Sequence, residues 1–151
     1  MREAVIQGQV SRRAFTVEEF ELMAASGIFQ DEHVELVEGE VVNMAAKGSR
    51  HAATVTRLTH LLVSQLGDSY LVRVQHPLQL SEHTQLEPDV AVVRMDDDYF
   101  SSAHPTAPDT VLVVEVAHSS LAYDRDVKLP LYARHGVPTV WLVDLPGEVV
   151  T

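Results

Sequence analysis

A mixed α/β domain is the fold class this sequence predicts, on three observations. Short, nearly continuous apolar runs at 86–94, 111–116 and 139–144 read as strands buried on both faces. Two stretches, after Thr16 and from His51 to Leu66, carry helix start signals or apolar residues at helical spacing. The segment between the last two strands is long enough for a helical crossover, which makes those strands parallel and the connection right-handed. The predicted core is therefore helix, three strands, helix, strand: a mixed sheet flanked by helices, preceded by an N-terminal helix and a β-hairpin.

Residues 1–14 read as a flexible N-terminal arm and 15–151 as a single domain. Thr16-Val17-Glu18-Glu19 is a capping-box pattern that opens a short helix with Phe20, Met23 and Ala24 inward, and Gly27 stops it. His33–Val37 and Glu40–Met44 flank Glu38-Gly39, a hairpin turn. In the helix from His51 to Leu66, Val55, Leu58, Leu62 and Leu66 form the apolar stripe, and Gly67 ends it. The first core strand is expected over Tyr70–Val74 and on past Pro77 to Leu80, the next over Leu86–Arg94. Met95–Asp109, acidic and then rich in Pro, Ser and Ala, reads as a surface excursion. The crossover helix follows His118-Ser119-Ser120 and ends at His135-Gly136, with Ser119 and Asp124 as its expected caps. Only Leu145–Thr151 follows Asp144, so a terminal hairpin is expected to be either missing or never encoded.

Composition narrows the function. At 151 residues, 46% hydrophobic and 22% charged, the chain can bury a real core, and no apolar run approaches a membrane span. The absence of cysteine excludes disulfides, thiol catalysis and thiolate zinc sites, and fits a cytoplasmic protein. No two of the eight histidines have H-x-H or H-x-x-x-H spacing, which speaks against a histidine metal site, and no nucleophile elbow is present. The net charge of −11 speaks against nucleic-acid binding; only Lys47/Arg50/Arg57 and Arg125/Lys128 can form local basic patches.

Two carboxylates stand out against this background. Asp89 and Glu115 interrupt the apolar runs Leu86–Val93 and Val111–Val116, where an ionised acid is costly unless something pairs with it. Lys128 follows thirteen residues after Glu115. Two acids on neighbouring strands suit a hard cation, which takes oxygen ligands; the Val116 carbonyl can add another, and a lysine can orient or deprotonate water and offset charge.

This arrangement resembles the PD-(D/E)XK nuclease superfamily and, within it, the Uma-two family of restriction endonucleases. The resemblance rests on an ordered series from residue 16 to 144: Phe15–Phe20, Val34–Glu40, His51 opening the long helix, Glu87-Pro88-Asp89-Val90, Val113–Val116 with Ser119, Asp124, Lys128, Tyr132, and Gly136-Val137-Pro138 with Trp141–Asp144. It implies a restriction-endonuclease-like core, with Asp89 and Glu115 as metal-binding acids and Glu35 as a further acid near the site. The short Glu-X-Lys spacing of the superfamily would put lysine at position 117, where this chain has Ala117. Lys128 matches a lysine that the family often carries on the following helix. Pro130, two residues on, implies that this helix either kinks there or starts later.

Taken singly, each residue has an ordinary role as well. Asp89 reads equally as a turn residue after Pro88, Lys128 as a solvated helix residue, Glu35 as an outward hairpin residue and His51 as a helix start. Tyr132 and Trp141 read as core or interface residues. Two functions are therefore expected. One is a Mg²⁺- or Mn²⁺-dependent DNA phosphodiesterase acting through Asp89, Glu115, Lys128 and Glu35, as a two-fold homodimer because cutting both strands needs two sites. The other is a catalytically silent or regulatory dimeric binding module on the same fold.

Overall fold

The computed structural model describes residues 5–151. The elements are β1 (Val5–Gln7), β2 (Val10–Ser11), α1 (Val17–Ala25), β3 (Val34–Val37), β4 (Glu40–Asn43), α2 (Ser49–Gln65), β5 (Tyr70–Val74), β6 (Leu78–Ser81), β7 (Thr84–Leu86), β8 (Val90–Arg94), β9 (Thr110–Ala117), α3 (Leu121–Tyr123), α4 (Leu129–Arg134), β10 (Val140–Asp144) and β11 (Val149–Val150). A π-helical turn, Asp124–Lys128, joins α3 to α4. Of the expected arm, residues 1–4 lie outside the described residues, and β1 pairs antiparallel with β2.

The main sheet has the order β11-β10-β9-β8-β5. β9 and β10 run parallel, as the crossover predicts, and the other neighbours antiparallel. A second sheet, β4-β3-β7-β6, takes in the predicted hairpin. Between β3 and β4, Glu38 and Gly39 both have positive φ, the geometry of a tight hairpin turn matched to strand twist.

Two predicted strands are each divided between the sheets. The strand expected from Tyr70 to Leu80 is β5 in the main sheet and β6 in the second, and the one expected from Leu86 to Arg94 is β7 ending at Leu86 and β8 beginning at Val90. The breaks have a physical cause. Gln75 takes a positive φ, and Pro77 and Pro88 have no N–H to give to a ladder. The two crossings run side by side, with the Gln75 N–H donating to the carbonyls of Pro88 and Asp89, 3.2 Å from each. The terminal segment also differs from expectation, since β11 pairs back onto β10.

Helix α2 packs on one face of the main sheet, where Val55 and Leu62 meet Val90, Val92, Leu112, Val114 and Val116. Each such side chain contributes about 1.5–3 kcal/mol on burial. Against the other face, Ala91 and Val113 pack with Leu131 and Tyr132 of α4 and with Val37, Leu78, Leu80 and Leu86 of the second sheet. Helix α1 carries the complete capping box read from Thr16 and Glu19, and lays Val17 and Phe20 on Leu36.

A candidate metal and phosphodiester site

Alternation along the strands sets the direction of the two acids. Val114 and Val116 face α2, so Glu115 between them faces the second sheet; Val90 also faces α2, so Asp89 just before it turns the same way as Glu115. Val90 is registered against Val114, which places Asp89 opposite Glu115. The Val116 N–H donates to Asp89 Oδ2 at 2.8 Å, tying the sheet crossing to the end of β9.

Glu35 comes from β3 in the second sheet and Lys128 from the π turn. Lys128 Nζ lies 2.7 Å from Glu115 Oε1 and 3.2 Å from Glu35 Oε1. All three are buried, and Glu35 also accepts from the Glu87 N–H at 3.1 Å. Pro130 sits in the first turn of α4, which starts only at Leu129, so the regular helix begins late and a π turn fills the gap after α3. The Leu129 N–H reaches back five residues to the Asp124 carbonyl, widening the turn just before a residue that cannot make the usual bond. That extra residue puts Lys128 on the inside.

Sequence reasoning passed over two partners. Lys47, on the segment between β4 and α2, places Nζ 2.8 Å from Asp89 Oδ1. Tyr132, expected as a core residue, is fully buried, yet its hydroxyl donates to Glu115 Oε1 at 2.6 Å. A buried tyrosine hydroxyl seeks a partner, and Tyr132 stands four residues after Lys128, the spacing of one helix face. His51, at the start of α2, is buried with Nε2 3.2 Å from Asp89 Oδ1. Ser120 rather than Ser119 precedes the crossover helix, and its hydroxyl donates to Asp124 Oδ2 at 2.7 Å. Trp141 is half-buried against the α2 side, away from these groups.

Glu35, Asp89, Glu115, Val116, Asp124 and Lys128 line one cavity of about 270 Å³, with Lys47 and His51 at its wall. Burial pushes the Glu115 carboxyl up, opposed by the Lys128 charge and helped by Asp89 and Glu35. Burial would likewise raise Asp89, but the Lys47 charge and hydrogen bond, the Val116 N–H and His51 outweigh it and hold the carboxyl low. For Lys128, burial disfavours the ammonium, and Glu115 and Glu35 more than reverse this. Burial also raises Asp124.

The donor set fits a hard divalent cation. Four acids (Glu35, Asp89, Glu115, Asp124) face two lysines in the cavity, an excess of negative charge, and Glu35 Oε2 is buried without a hydrogen-bond partner. Among the described residues, however, no three His, Asp or Glu side chains are gathered closely enough to hold a metal as they stand.

Two sheets thus bring two acids from one end of the main sheet, a third from the hairpin and a lysine from the β9–β10 crossover to one place, the arrangement expected of a nuclease-like fold. Comparison with known proteins agrees. The family described as "Putative restriction endonuclease", Uma2, matches residues 17–151, and the chain belongs to that family. Among solved structures, a "putative nuclease belonging to DUF820" from Anabaena variabilis superposes with a TM-score of 0.67 at 17% identity, over 86% of this chain and 74% of that one. That likeness is one of fold. No curated protein matches the sequence. No helix among the described residues is long and apolar enough to cross a membrane.

Proposed function

We propose that this protein is a metal-dependent endonuclease that hydrolyses phosphodiester bonds in DNA. The observation that carries this reading is the convergence of Glu35, Asp89, Glu115 and Lys128, drawn from two sheets and a crossover helix, on one cavity. Asp89 and Glu115, with the Val116 carbonyl, would hold Mg²⁺ or Mn²⁺. Such an ion polarises a phosphate and makes hydroxide available near neutral pH. The chain's own groups do the rest. Lys128, fixed between two carboxylates, presents a positive charge that orients water and offsets charge building on the phosphate. Glu35 positions Lys128, and the Tyr132 hydroxyl fixes the Glu115 carboxylate.

A second reading, a silent dimeric binding module, is favoured by one feature: Lys47 and Lys128 already neutralise Asp89 and Glu115. Cleavage of plasmid and single-stranded DNA in Mg²⁺ or Mn²⁺, wild type beside Glu115→Ala, separates the two. The nuclease reading expects cleavage that falls at least about 100-fold in the variant, the scale of losing a metal ligand or a transition-state charge partner. Equal activity in both proteins would trace the cutting to a contaminant, and no cutting in either would leave the binding module.

A further inference from the structure

The two lysines at the site are held differently. Lys128 is 3% exposed and clasped by two buried acids on a helical turn. Lys47 is 31% exposed against a partner that is 3% exposed, and it rides on an exposed segment without regular structure, Ala45–Gly48. Nothing lies within 4 Å of where a Cβ on Gly48 would sit, so no packed neighbour covers that position beside Lys47. Asp89 does not depend on Lys47 to stay anchored: Oδ2 keeps the Val116 N–H, and His51 lies beside Oδ1. The oxygen that Lys47 occupies belongs to one of the two acids assigned to the cation, and two positive charges cannot share it cheaply.

Resting on the nuclease reading above, we propose that Lys47 is a displaceable internal cation: it closes Asp89 while no divalent ion is bound and must leave for one to bind, so that it sets the metal concentration at which the site fills. Removing its charge therefore does two opposite things. It leaves the buried Asp89 carboxylate short of a partner in the metal-free protein, and it frees the site for the ion.

The test is Mn²⁺ binding to the full chain by calorimetry, with melting in EDTA and in Mn²⁺, for wild type, Lys47→Met, Arg57→Met and Asp89→Asn. Arg57 lies on α2 and pairs with no acid at the site, so its variant controls for net charge. Lys47→Met is expected to bind Mn²⁺ about five- to tenfold more tightly, the strength of a charge-assisted, partly exposed pair. In EDTA it melts on the order of 5 °C below wild type, and Mn²⁺ recovers more than that difference. Arg57→Met keeps wild-type affinity within about twofold. Equal or weaker Mn²⁺ binding by Lys47→Met, while Asp89→Asn loses binding, overturns this inference and leaves the nuclease reading intact. Unchanged binding in Asp89→Asn overturns both.

Discussion

Lys128 is the residue on which the site turns. Its ammonium sits between Glu115 and Glu35, all three buried, so each charge is tolerable only because of the others. Lys128→Met leaves two buried acids without their counter-charge. The sign of the pH dependence follows. In the variant, Glu115 titrates above its unfolded value near 4.5, since burial raises it and the opposing lysine is gone. The protonated form is then the one that favours folding. Its contribution is whole below about pH 4.5 and is lost as pH rises through the folded value. In wild type burial raises Glu115 as well, but Lys128 opposes the rise, so the same loss with rising pH is smaller. The two proteins should melt most alike near pH 4–5 and diverge toward pH 8, by about 3–5 kcal/mol, the cost of breaking a buried pair. A constant gap across that range in denaturant titrations would sink the argument. The Asp89 carboxylate, held low by Lys47 and the Val116 N–H, contributes above its unfolded pKa and loses that contribution only as pH falls.

At the level of elements, the hairpin β3–β4 is what delivers Glu35, and its turn permits no side chain at Gly39. Gly39 has φ of 83°, and an added Cβ would lie 2.5 Å from the Ala14 Cβ and 2.9 Å from its Cα. Gly39→Ala should therefore cost about 2–3 kcal/mol, from left-handed strain and from forcing the Ala14–Phe15 backbone away. Phe15 N–H donates to the Gly39 carbonyl at 2.9 Å, so the same shift would loosen α1. Thermal melts measure this, and a change under about 0.5 kcal/mol, the scale of an ordinary surface substitution, would contradict it. The crossover helix was legible as a helix, from its length and its end at Gly136. Its π turn was not: Pro130 signalled that the regular pattern must give way, and only packing against Glu115 and Glu35 decided how.

For the whole molecule, charge and assembly set what the proposed function requires. A chain at −11 has little general attraction for nucleic acid, so on the proposed nuclease reading binding would be concentrated where the cavity would draw a cation and where Lys47 and Arg50 stand beside it. Severing both strands of a duplex at one place calls for two such cavities, and we expect a two-fold homodimer. Sedimentation of the active protein should return twice the chain mass, with linear product appearing from plasmid without accumulated nicked circles. A monomer that only nicks would refute the dimer while leaving the chemistry in place.

The sequence by itself determined the mixed α/β class, the capped first helix, the hairpin turn at Glu38-Gly39, the stripe on α2 and the parallel β9–β10 crossover, because each is governed by local spacing and turn chemistry. It also singled out Asp89 and Glu115, since a charge in an apolar run is anomalous wherever it lies. Only the tertiary structure decided that two apparent strands change sheets at Gln75–Pro77 and Glu87–Asp89, for there the same apolar residues suit either sheet. It alone brought Glu35 to Lys128, 93 residues apart in sequence, and Lys47 to Asp89, 42 apart. Lys47 reads in sequence as part of a local basic patch and Tyr132 as a core or interface residue, and their contacts with Asp89 and Glu115 arise from long-range packing that no local pattern encodes.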